Sequence, residues 1–474
     1  MNTFNMRITF FYRGRYFLLD AVTVEYLSAI ANELGHKTSL LFDQDLFGIS
    51  DNVLPSSWYN SIFNKDIKLV RKILKEDTDC LVFIDPIGSN NKWISDLAKT
   101  IKIEKSHLKI VVLSCLKDYP DYDQIDHLLV GEPEFVFKKF LEDSYSNKKK
   151  YLYADLVDLN ELPLPDKTLF GPYANYKDSY MVFTSKGCPY SCSYCIETVL
   201  NNEMGPNYFR RRSPQNVMAE LKKAKEKYSI SEVIFKDSIF GFDKYWLRVF
   251  LKEYKKYIDL PYKCFAKASV FDEETAIVLK DSKCYCVEFG VQTFNESLKK
   301  DVLSRQEKTE SIIKAFEICD NHKLMYDADH IFGIPGETIN DHIQAAKIYS
   351  KRKYLNRVKC HNLVFYKKAG IFNHAPDEIK KDPDYRQDFF SSTAGSQGMI
   401  LANKCFEKYF KCLPLLSGRI SSYVQRDDKW KVFRFVPNFI VLISMILIAI
   451  KNNDKRFGIY LKYYPKKIFF SAFR

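Results

Sequence analysis

The chain has 474 residues, of which 46% are hydrophobic and 28% are charged, a globular composition with length for two or three domains. Its formal net charge of +13 is uneven, because residues 429–474 hold ten Lys and Arg residues against one acidic residue, Asp454. The rest of the chain carries only about +4, which excludes a nucleic-acid-binding surface spread over its body. Twelve cysteines are too few for a disulfide scaffold and the N-terminus lacks a signal-peptide pattern, so we expect a reducing, cytoplasmic compartment.

Residues 6–143 alternate short apolar runs with helical patterns. Strands are predicted by "MRITFF", "KTSLLFD", "CLVFID", "KIVVLS" and "HLLVG", and "LLDAVTVEYLSAIANELG" predicts a helix that stops at Gly35. This alternation predicts an α/β domain with a doubly wound, Rossmann-like parallel sheet. Ligands of such sheets bind at the carboxyl ends of the strands, here residues 12–15, 85–89 and 114–117.

A second series of β/α units begins at Tyr180. Strands are predicted over residues 180–184, 232–237, 261–266, 285–291, 325–333 and 358–365, with helical patterns between them. Six repeated units predict a partial (βα)6 barrel with its chemistry at the carboxyl ends of the strands. We therefore divide the chain into a first domain (1–143), a proline-punctuated linker (144–179), the barrel (180–371) and a mainly helical C-terminal region (372–474).

The C-terminal region carries the apolar run "FIVLISMILIAI" at residues 439–450, followed by a basic and aromatic tail. A transmembrane helix needs about 20 apolar residues, so this run is too short to predict one. Two interpretations stay open. The run is either a buried helix or a membrane-surface anchor whose Lys, Arg, Tyr and Phe neighbours lie at the headgroup level.

The stretch "TSKGCPYSCSYCIE" places Cys188, Cys192 and Cys195 in a C-x3-C-x2-C array after a predicted strand. A structural zinc site closes with four protein ligands, and most iron–sulfur clusters also use four cysteines. Three thiolates leave one coordination position open, which favours catalysis, with zinc as the structural alternative. The other cysteines are expected to be buried free thiols rather than a second cluster; those considered are Cys264, Cys284, Cys286, Cys405 and Cys412.

The motif "GCPYSCSYC" resembles the cluster motif of the radical S-adenosylmethionine (SAM) superfamily, with Tyr194 in its aromatic position. Over residues 180–370, four further segments resemble the branch of that superfamily with an N-terminal cobalamin-binding domain: "YFRRRSPQNVMAEL", "VIFKDSIFGFDKYW", "VEFGVQTFNESLKKDVLSR" and "DHIFGIPGETINDH". The resemblance implies a 4Fe–4S cluster held by the three cysteines, with SAM chelated to the fourth iron. One electron would then cleave SAM to methionine and a 5′-deoxyadenosyl radical that abstracts hydrogen from the substrate.

The resemblance also implies SAM contacts, which are carried over by position alone. Asp237 would approach the amino group of SAM, and Gln292 would approach the ribose. The adenine side would be formed, mostly through backbone, by Ile331, Gly333, Pro335 and Glu337. For each of these residues the alternative is a strand-end polar side chain or an ordinary turn residue.

Residues 1–143 resemble a cobalamin-binding domain in their "GEPE" turn at 131–134 and in the "ELPLPD" linker. They lack the D-x-H-x-x-G motif that supplies an axial histidine, and "VVLSCLKDYPD" has no Gly-Gly pair for the backbone to approach the corrin. Cobalamin binding would imply methylation of an unactivated carbon. Without it, the implied chemistry is hydrogen abstraction followed by rearrangement, oxidation or cyclisation, and the non-enzyme alternative is a cluster- or zinc-stabilised binding protein.

The expected partners follow from the same observations. The resemblance implies a small-molecule substrate and a flavodoxin- or ferredoxin-type electron donor, and the basic, aromatic tail indicates an amphiphilic substrate as an alternative. The charge distribution argues against nucleic acid. The basic, aromatic tail indicates peripheral contact with a membrane as an alternative to a purely cytoplasmic location.

Overall fold

The computed structural model describes residues 5–14, 16–44, 66–143, 149–382 and 396–472. The chain forms two compact units: Met1–Tyr176 with Val199–Arg212 and Lys462–Arg474, and Lys177–Thr198 with Ser213–Leu461. Arg15, part of the expected ligand edge after the first strand, lies outside the described residues.

The first unit is built on a parallel sheet of six strands. They are β1 (Arg7–Arg13), β2 (Lys37–Asp43), β3 (Cys80–Ile84), β4 (Lys109–Ser114), β5 (His127–Val130) and β6 (Lys150–Leu152), in the order β2-β1-β3-β4-β5-β6. This confirms the predicted doubly wound sheet. The edge strand β6 lies in the segment expected to be a linker, and it pairs with β5 through Leu129 and Tyr151.

The helices described between these strands are α1 (Leu19–Glu33), α2 (Asp66–Lys75), α3 (Asn91–Glu104) and α4 (Pro133–Glu142). The end of α1 follows the prediction, since Gly35 has a φ of +89° and the N–H of His36 donates to the carbonyl of Ala31 at 3.0 Å. The strands β3 and β5 are buried along their whole lengths, because helices cover both faces of the sheet.

The second unit contains the other six-stranded parallel sheet. Its strands are β7 (Tyr180–Val182), β10 (Val233–Phe235), β11 (Tyr262–Ala266), β12 (Cys284–Gln292), β13 (Tyr326–Phe332) and β14 (Leu355–Asn362), paired in chain order. Two short strands, β8 (Ser185–Lys186) and β9 (Arg210–Arg211), lie between β7 and β10. The predicted partial barrel is confirmed, although its last strand begins three residues earlier than predicted.

The helices of this half are α5 (Ile196–Met204), α6 (Pro214–Tyr228), α7 (Lys244–Tyr257), α8 (Glu273–Asp281), α9 (Thr309–Asn321) and α10 (Ile339–Tyr349). A π-helical turn, Leu298–Val302, follows β12. Ser213 caps α6 as its sequence suggests, because its hydroxyl accepts the N–H of Asn216 at 3.2 Å and Pro214 occupies the first helical position.

The C-terminal region contains α11 (Asp377–Lys381), α12 (Gln397–Cys412), α13 (Gly418–Val424), α14 (Asn438–Lys451) and α15 (Lys455–Ala472). Among the described helices, none is by itself long and apolar enough to cross a membrane. One pair bent by 97°, Asp428–Phe435 with Asn438–Lys451, meets that length and composition only when taken together.

All twelve cysteines are free thiols. Those expected to be buried are buried: Cys264, Cys284, Cys286, Cys405 and Cys412.

Candidate functional site

The three-cysteine segment forms a loop at the carboxyl end of β7, between the short strand β8 and helix α5. Gly187, just before Cys188, has a φ of +81°, a conformation that a residue with a Cβ rarely adopts. Cys192 and Cys195 are joined by a backbone hydrogen bond of 3.1 Å. The hydroxyl of Thr198 donates to the carbonyl of Cys192 at 2.8 Å, so the start of α5 fixes the second half of the loop.

Asp237 anchors the first half of this loop. It is 1% exposed and lies just after β10. Its carboxylate accepts the N–H of Thr184 at 3.1 Å, the Thr184 hydroxyl at 2.5 Å and the Ser185 hydroxyl at 2.6 Å. The resemblance implied a contact to the SAM amino group; in the structure the carboxylate holds the entrance of the cysteine loop.

Ser193, in the middle of the loop, is bound on two sides. Its hydroxyl donates to the carbonyl of Val302 at 2.6 Å, and its N–H donates to the carbonyl of Leu303 at 3.0 Å. Its own carbonyl accepts the N–H of Ile371 at 3.0 Å. The loop is therefore fixed by the π-helical turn after β12 and by the segment after β14, elements that are distant in sequence.

A buried ion pair lies beside the cysteines. Arg305 is 7% exposed and binds Glu307 at 2.5 Å, and it donates to the hydroxyl of Tyr194 at 3.0 Å. The second oxygen of Glu307 accepts the N–H of Ser269 at 2.8 Å. Arg305 ends the recognised segment "VEFGVQTFNESLKKDVLSR", but the sequence assigned it no role, and Glu307 lies outside the recognised segments. The structure brings both residues to the loop.

Burial decides the protonation of the thiols. It raises the pKa of Cys188 to about 11, against a smaller lowering by Lys267, and it also raises the pKa of Cys195. Both thiols are influenced by the charge of Cys192, so the three side chains lie in one neighbourhood. In the described part of the chain, no group of three Cys, His, Asp or Glu side chains is already arranged around a metal position.

Gln292 ends β12 beside this cluster of groups. It has a φ of +66°, and the register between β12 and β13 shifts at this point. Its side-chain nitrogen would lie 2.7 Å from a Cβ at Gly290, whose carbonyl accepts a hydrogen bond from Arg305. The structure therefore brings Gln292, an expected SAM contact, and Tyr194 of the cluster motif to the same arginine.

The turn after β13 is the expected adenine side. Ile331 is buried within β13 and Pro335 lies in the turn. The carboxylate of Glu337 accepts the N–H of Gly333 at 2.8 Å and that of Ile334 at 3.2 Å. Burial raises the pKa of Glu337 to about 7. These amides are already bonded within the turn, so Glu337 shapes the turn.

Asn403 on α12 completes this arrangement. Its amide nitrogen donates to Glu337 at 2.7 Å, and its oxygen bonds with His342 at 2.8 Å. Burial lowers the pKa of His342 to about 4, so its ring is neutral at physiological pH. The sequence contains no signal for Asn403, because no motif or periodicity marks a C-terminal helix as a partner of the turn.

One face of the barrel sheet is charged. Lys263 forms ion pairs with Glu288 and Asp327, Arg357 binds Asp327 at 3.2 Å, and Lys359 forms an ion pair with Glu288. Burial works against ionisation of Glu288, but Lys263 and Lys359 hold its pKa below the usual range. These residues alternate along their strands with apolar positions, so they share the sheet face opposite to the helices.

Exposure on that charged face increases toward the carboxyl ends of the strands. Asp327 is fully buried, whereas the side chain of Lys359 is 27% exposed and that of His361 is 32% exposed. Asp329 lies between the latter two, 3.8 Å from Lys359 and 3.5 Å from His361. The carboxyl end of the barrel interior is therefore polar and open.

The carboxyl edge of the first unit is closed by internal contacts. Asp85, after β3, accepts the hydroxyl of Tyr119 at 3.0 Å, and burial raises its pKa to about 6. In the "GEPE" turn, the buried carboxylate of Glu132 pairs with Arg210 at 2.6 Å and accepts the N–H of Val157 at 2.8 Å. The two acidic side chains thus organise loops at the edge where a ligand of this sheet would bind.

The same edge differs between its two halves. At the ends of β1 and β2 it is filled by buried rings, since Tyr12 stacks on Phe42 with centroids 5.5 Å apart and both contact Phe170. At the end of β3 it carries a glycine turn instead, because Gly88 has a φ of +67° and a Cβ at this position would lie 3.1 Å from the side chain of Leu116.

The three histidines of residues 1–176 are all on the opposite edge. His36 directly precedes β2, His107 lies two residues before β4, and His127 begins β5. They lie at the amino ends of strands, whereas ligands of parallel sheets bind at the carboxyl ends.

Comparison with known proteins adds independent findings. Residues 182–348 match the model of the Radical SAM superfamily. An uncharacterized methyltransferase of Pyrococcus horikoshii is 24% identical over 254 residues, which is 48% of this chain and 53% of that protein. The chain thus spans about half the length of this relative.

Two solved structures share the fold. The cobalamin-dependent SAM radical enzyme OxsB with aqua-cobalamin bound has a TM-score of 0.60 at 13% identity, covering 94% of this chain and 72% of that one. The radical SAM methyltransferase TsrM from Kitasatospora setae, solved with cobalamin and a [4Fe-4S] cluster, has a TM-score of 0.54 at 11% identity, covering 79% and 78%. At these identities the likeness concerns the fold.

Proposed function

We propose that this chain, whose residues 182–348 are a radical SAM domain, is an enzyme that uses SAM for cobalamin-dependent methylation of an unactivated carbon. The observation that carries the proposal is the cysteine loop, in which three thiols on a fixed backbone leave one position of a cluster unclaimed. A bound 4Fe–4S cluster would supply the electron that cleaves SAM.

The donor set suits such a cluster. Cys188, Cys192 and Cys195 would hold it as thiolates, and the raised pKa values of Cys188 and Cys195 mean that assembly releases protons. Lys267 and Arg305 lie close enough to influence these thiols electrostatically and would offset the negative charge of a thiolate-bound cluster.

SAM would lie between the loop and the ends of β12 and β13. Gln292 would face the ribose, and the turn with Ile331, Gly333, Pro335 and Glu337 would border the adenine. Leu298 supports this placement, because it lies 3.4 Å from a Cβ position at Gly336, and its π-helical turn also holds the cysteine loop.

Cobalamin is the less supported cofactor. The fold likeness to OxsB and TsrM favours it. The first unit would supply no histidine to cobalt, since His36, His107 and His127 lie at the opposite edge. The rings that fill the β1–β2 side favour a second candidate, in which the radical is used without cobalamin for rearrangement, oxidation or cyclisation.

The remaining partners belong to the same proposal. Radical SAM enzymes act on small molecules and take electrons from external donors, and we propose a flavodoxin- or ferredoxin-type donor for this chain. The open, polar end of the barrel interior suits a small substrate with polar groups. We also propose a cytoplasmic protein that touches a membrane peripherally.

Anaerobic reconstitution with iron, sulfide and hydroxocobalamin tests the proposal. We expect 4Fe–4S absorbance, 5′-deoxyadenosine from SAM under reduction, and corrin bands that survive gel filtration. Alanine at all three loop cysteines should abolish the first two signals, whereas the control Cys360→Ala should keep both. If only the corrin bands were lost, the second candidate function, radical chemistry without cobalamin, would be favoured. If the wild type showed neither cluster absorbance nor 5′-deoxyadenosine, the proposal that the protein is an enzyme would be refuted.

A further inference from the structure

Helix α14 exposes an apolar row to solvent. The row consists of Phe439, Ile440, Ile443, Leu447 and Ile450, which are between 40% and 61% exposed. Soluble proteins rarely leave a contiguous set of large apolar side chains uncovered unless it binds something.

The row occupies one side of the helix. At 100° per residue, its five members fall within an arc of about 100°. The two buried residues of α14, Val441 and Ile448, fall on the opposite side, 6% and 3% exposed. The helix is therefore attached to its unit by one narrow side while the other carries the row, so neither a wholly buried helix nor a spanning one describes it.

Cations flank the row at both ends of the helix. Lys429, Lys431 and Arg434 precede it, and Lys451 and Lys455 follow it, all exposed. From residue 429 onward the sequence holds a single acid, Asp454.

That acid is buried and adds no exposed carboxylate to the surface around the row. Asp454 is 6% exposed, and its carboxylate accepts the amide of Asn356 at 2.9 Å. Asp428, just before the cationic segment, forms an ion pair with Lys431 at 2.6 Å. This ion pair does not involve Lys429 or Arg434. The surface around the row is consequently apolar in the middle and positive at both ends.

We propose that the α14 row docks on an anionic lipid membrane surface. A helix of 14 residues is about 21 Å long, which suits a helix lying in the interface with its row among the acyl chains and its cations at the headgroups. Charge complementarity selects this occupant over a second copy of the chain. Two copies packed row to row would bring cationic ends together, in either orientation of the helices.

Co-sedimentation of the full chain with vesicles tests this docking surface. We expect binding to phosphatidylcholine vesicles that contain phosphatidylglycerol, and little binding to phosphatidylcholine alone. Phe439→Ser with Ile443→Ser should weaken the partition coefficient about tenfold or more. Lys429→Gln with Arg434→Gln should weaken the partition coefficient by about fivefold per charge removed. High salt should weaken binding of the wild type to a similar extent, because it screens the same charges.

The matched control is Tyr245→Ser with Ile277→Ser, two apolar side chains of the same unit that are 74% and 51% exposed but lie outside the row. The control should bind as the wild type does, and far-UV circular dichroism should show all variants folded. Equal losses in the control and row variants, or no preference for anionic vesicles, would overturn the proposal. So would a dimer in solution, seen by light scattering, that the row variants convert to a monomer.

Discussion

Removal of the Asp237 carboxylate should release the entrance of the cysteine loop. The change leaves three buried donors without their acceptor: the N–H of Thr184 and the hydroxyls of Thr184 and Ser185. The hydroxyls can rotate toward other acceptors, whereas the N–H is fixed by the backbone. Asp237→Ala is therefore a test of how strongly one strand-end residue holds the site together.

The magnitude follows from these contacts. An unsatisfied buried N–H costs about 1–3 kcal/mol, and each hydroxyl that loses a charged acceptor costs about 1 kcal/mol or more. Asp237→Ala should lower the free energy of unfolding by about 3–5 kcal/mol. Asp237→Asn keeps one acceptor oxygen and should cost about half as much. Iron loading should fall in the same order, because the loop would no longer present its thiols on one backbone conformation.

Urea denaturation followed by circular dichroism measures the first effect, and iron and sulfide content after reconstitution measures the second. The matched control is Asp243→Ala, which removes one helix-cap bond to the N–H of Trp246 at 3.0 Å and should cost about 1 kcal/mol. The reasoning fails if Asp237→Ala shifts the urea midpoint no more than the control, or if it loads iron normally.

Three further perturbations test other contacts. Burial raises the pKa of Glu337 from an ordinary value of 4.5 to about 7, so the folded chain keeps a proton that the unfolded chain loses. The free energy of unfolding should therefore fall as pH rises between those values, and Glu337→Gln should remove that part of the slope in urea titrations; an unchanged slope contradicts the assignment. Gly131→Ala should destabilise the first unit by about 2–4 kcal/mol, because its φ is +141° and a Cβ would lie 2.5 Å from a backbone oxygen. Thermal denaturation of each variant measures this loss. The control Gly418→Ala, where a Cβ would meet open space, should melt at the wild-type temperature. Equal melting temperatures for the two variants would refute the strain argument. Arg305→Met leaves the buried Glu307 without its ion-pair partner and should cost about 3–5 kcal/mol in urea denaturation; a loss under 1 kcal/mol would contradict it.

The two sheets could be predicted from the sequence because their strands are short runs rich in apolar and β-branched residues. The strand predicted as "KIVVLS" is β4 residue for residue, and the cap at Ser213 behaves as its residue type suggests. The short edge strand β6 was missed, because its three residues, Lys150–Leu152, are too few for a period-two pattern to appear.

Some residues of the candidate site could likewise be predicted from the sequence, whereas others could not. The cysteines and Tyr194 are contiguous in sequence, so spacing identified them. Arg305 ends a recognised segment, but its contact with Tyr194 depends on the order of strands and helices, and so does the contact of Asn403 with Glu337. Local patterns do not encode that order. The burial of α14 could not be predicted for a different reason. Residues 439–450 are almost all apolar, so the sequence does not show which side of the helix the rest of the protein covers.

The charged face of the barrel sheet gives a last physical criterion for where the chemistry takes place. A parallel sheet is normally apolar on both faces, because helices or a packed core cover each. Here one face carries rings such as Phe289 and Tyr326 against the helices, while the other carries Lys263, Glu288 and Asp327. Burying that many charges is unfavourable unless each is paired, and replacing such pairs with apolar side chains often stabilises a protein. Stability alone therefore does not account for this face. It suits an interior that holds polar ligands at its open end, where the charged groups become accessible and where the cysteine loop also lies at the carboxyl ends of the strands.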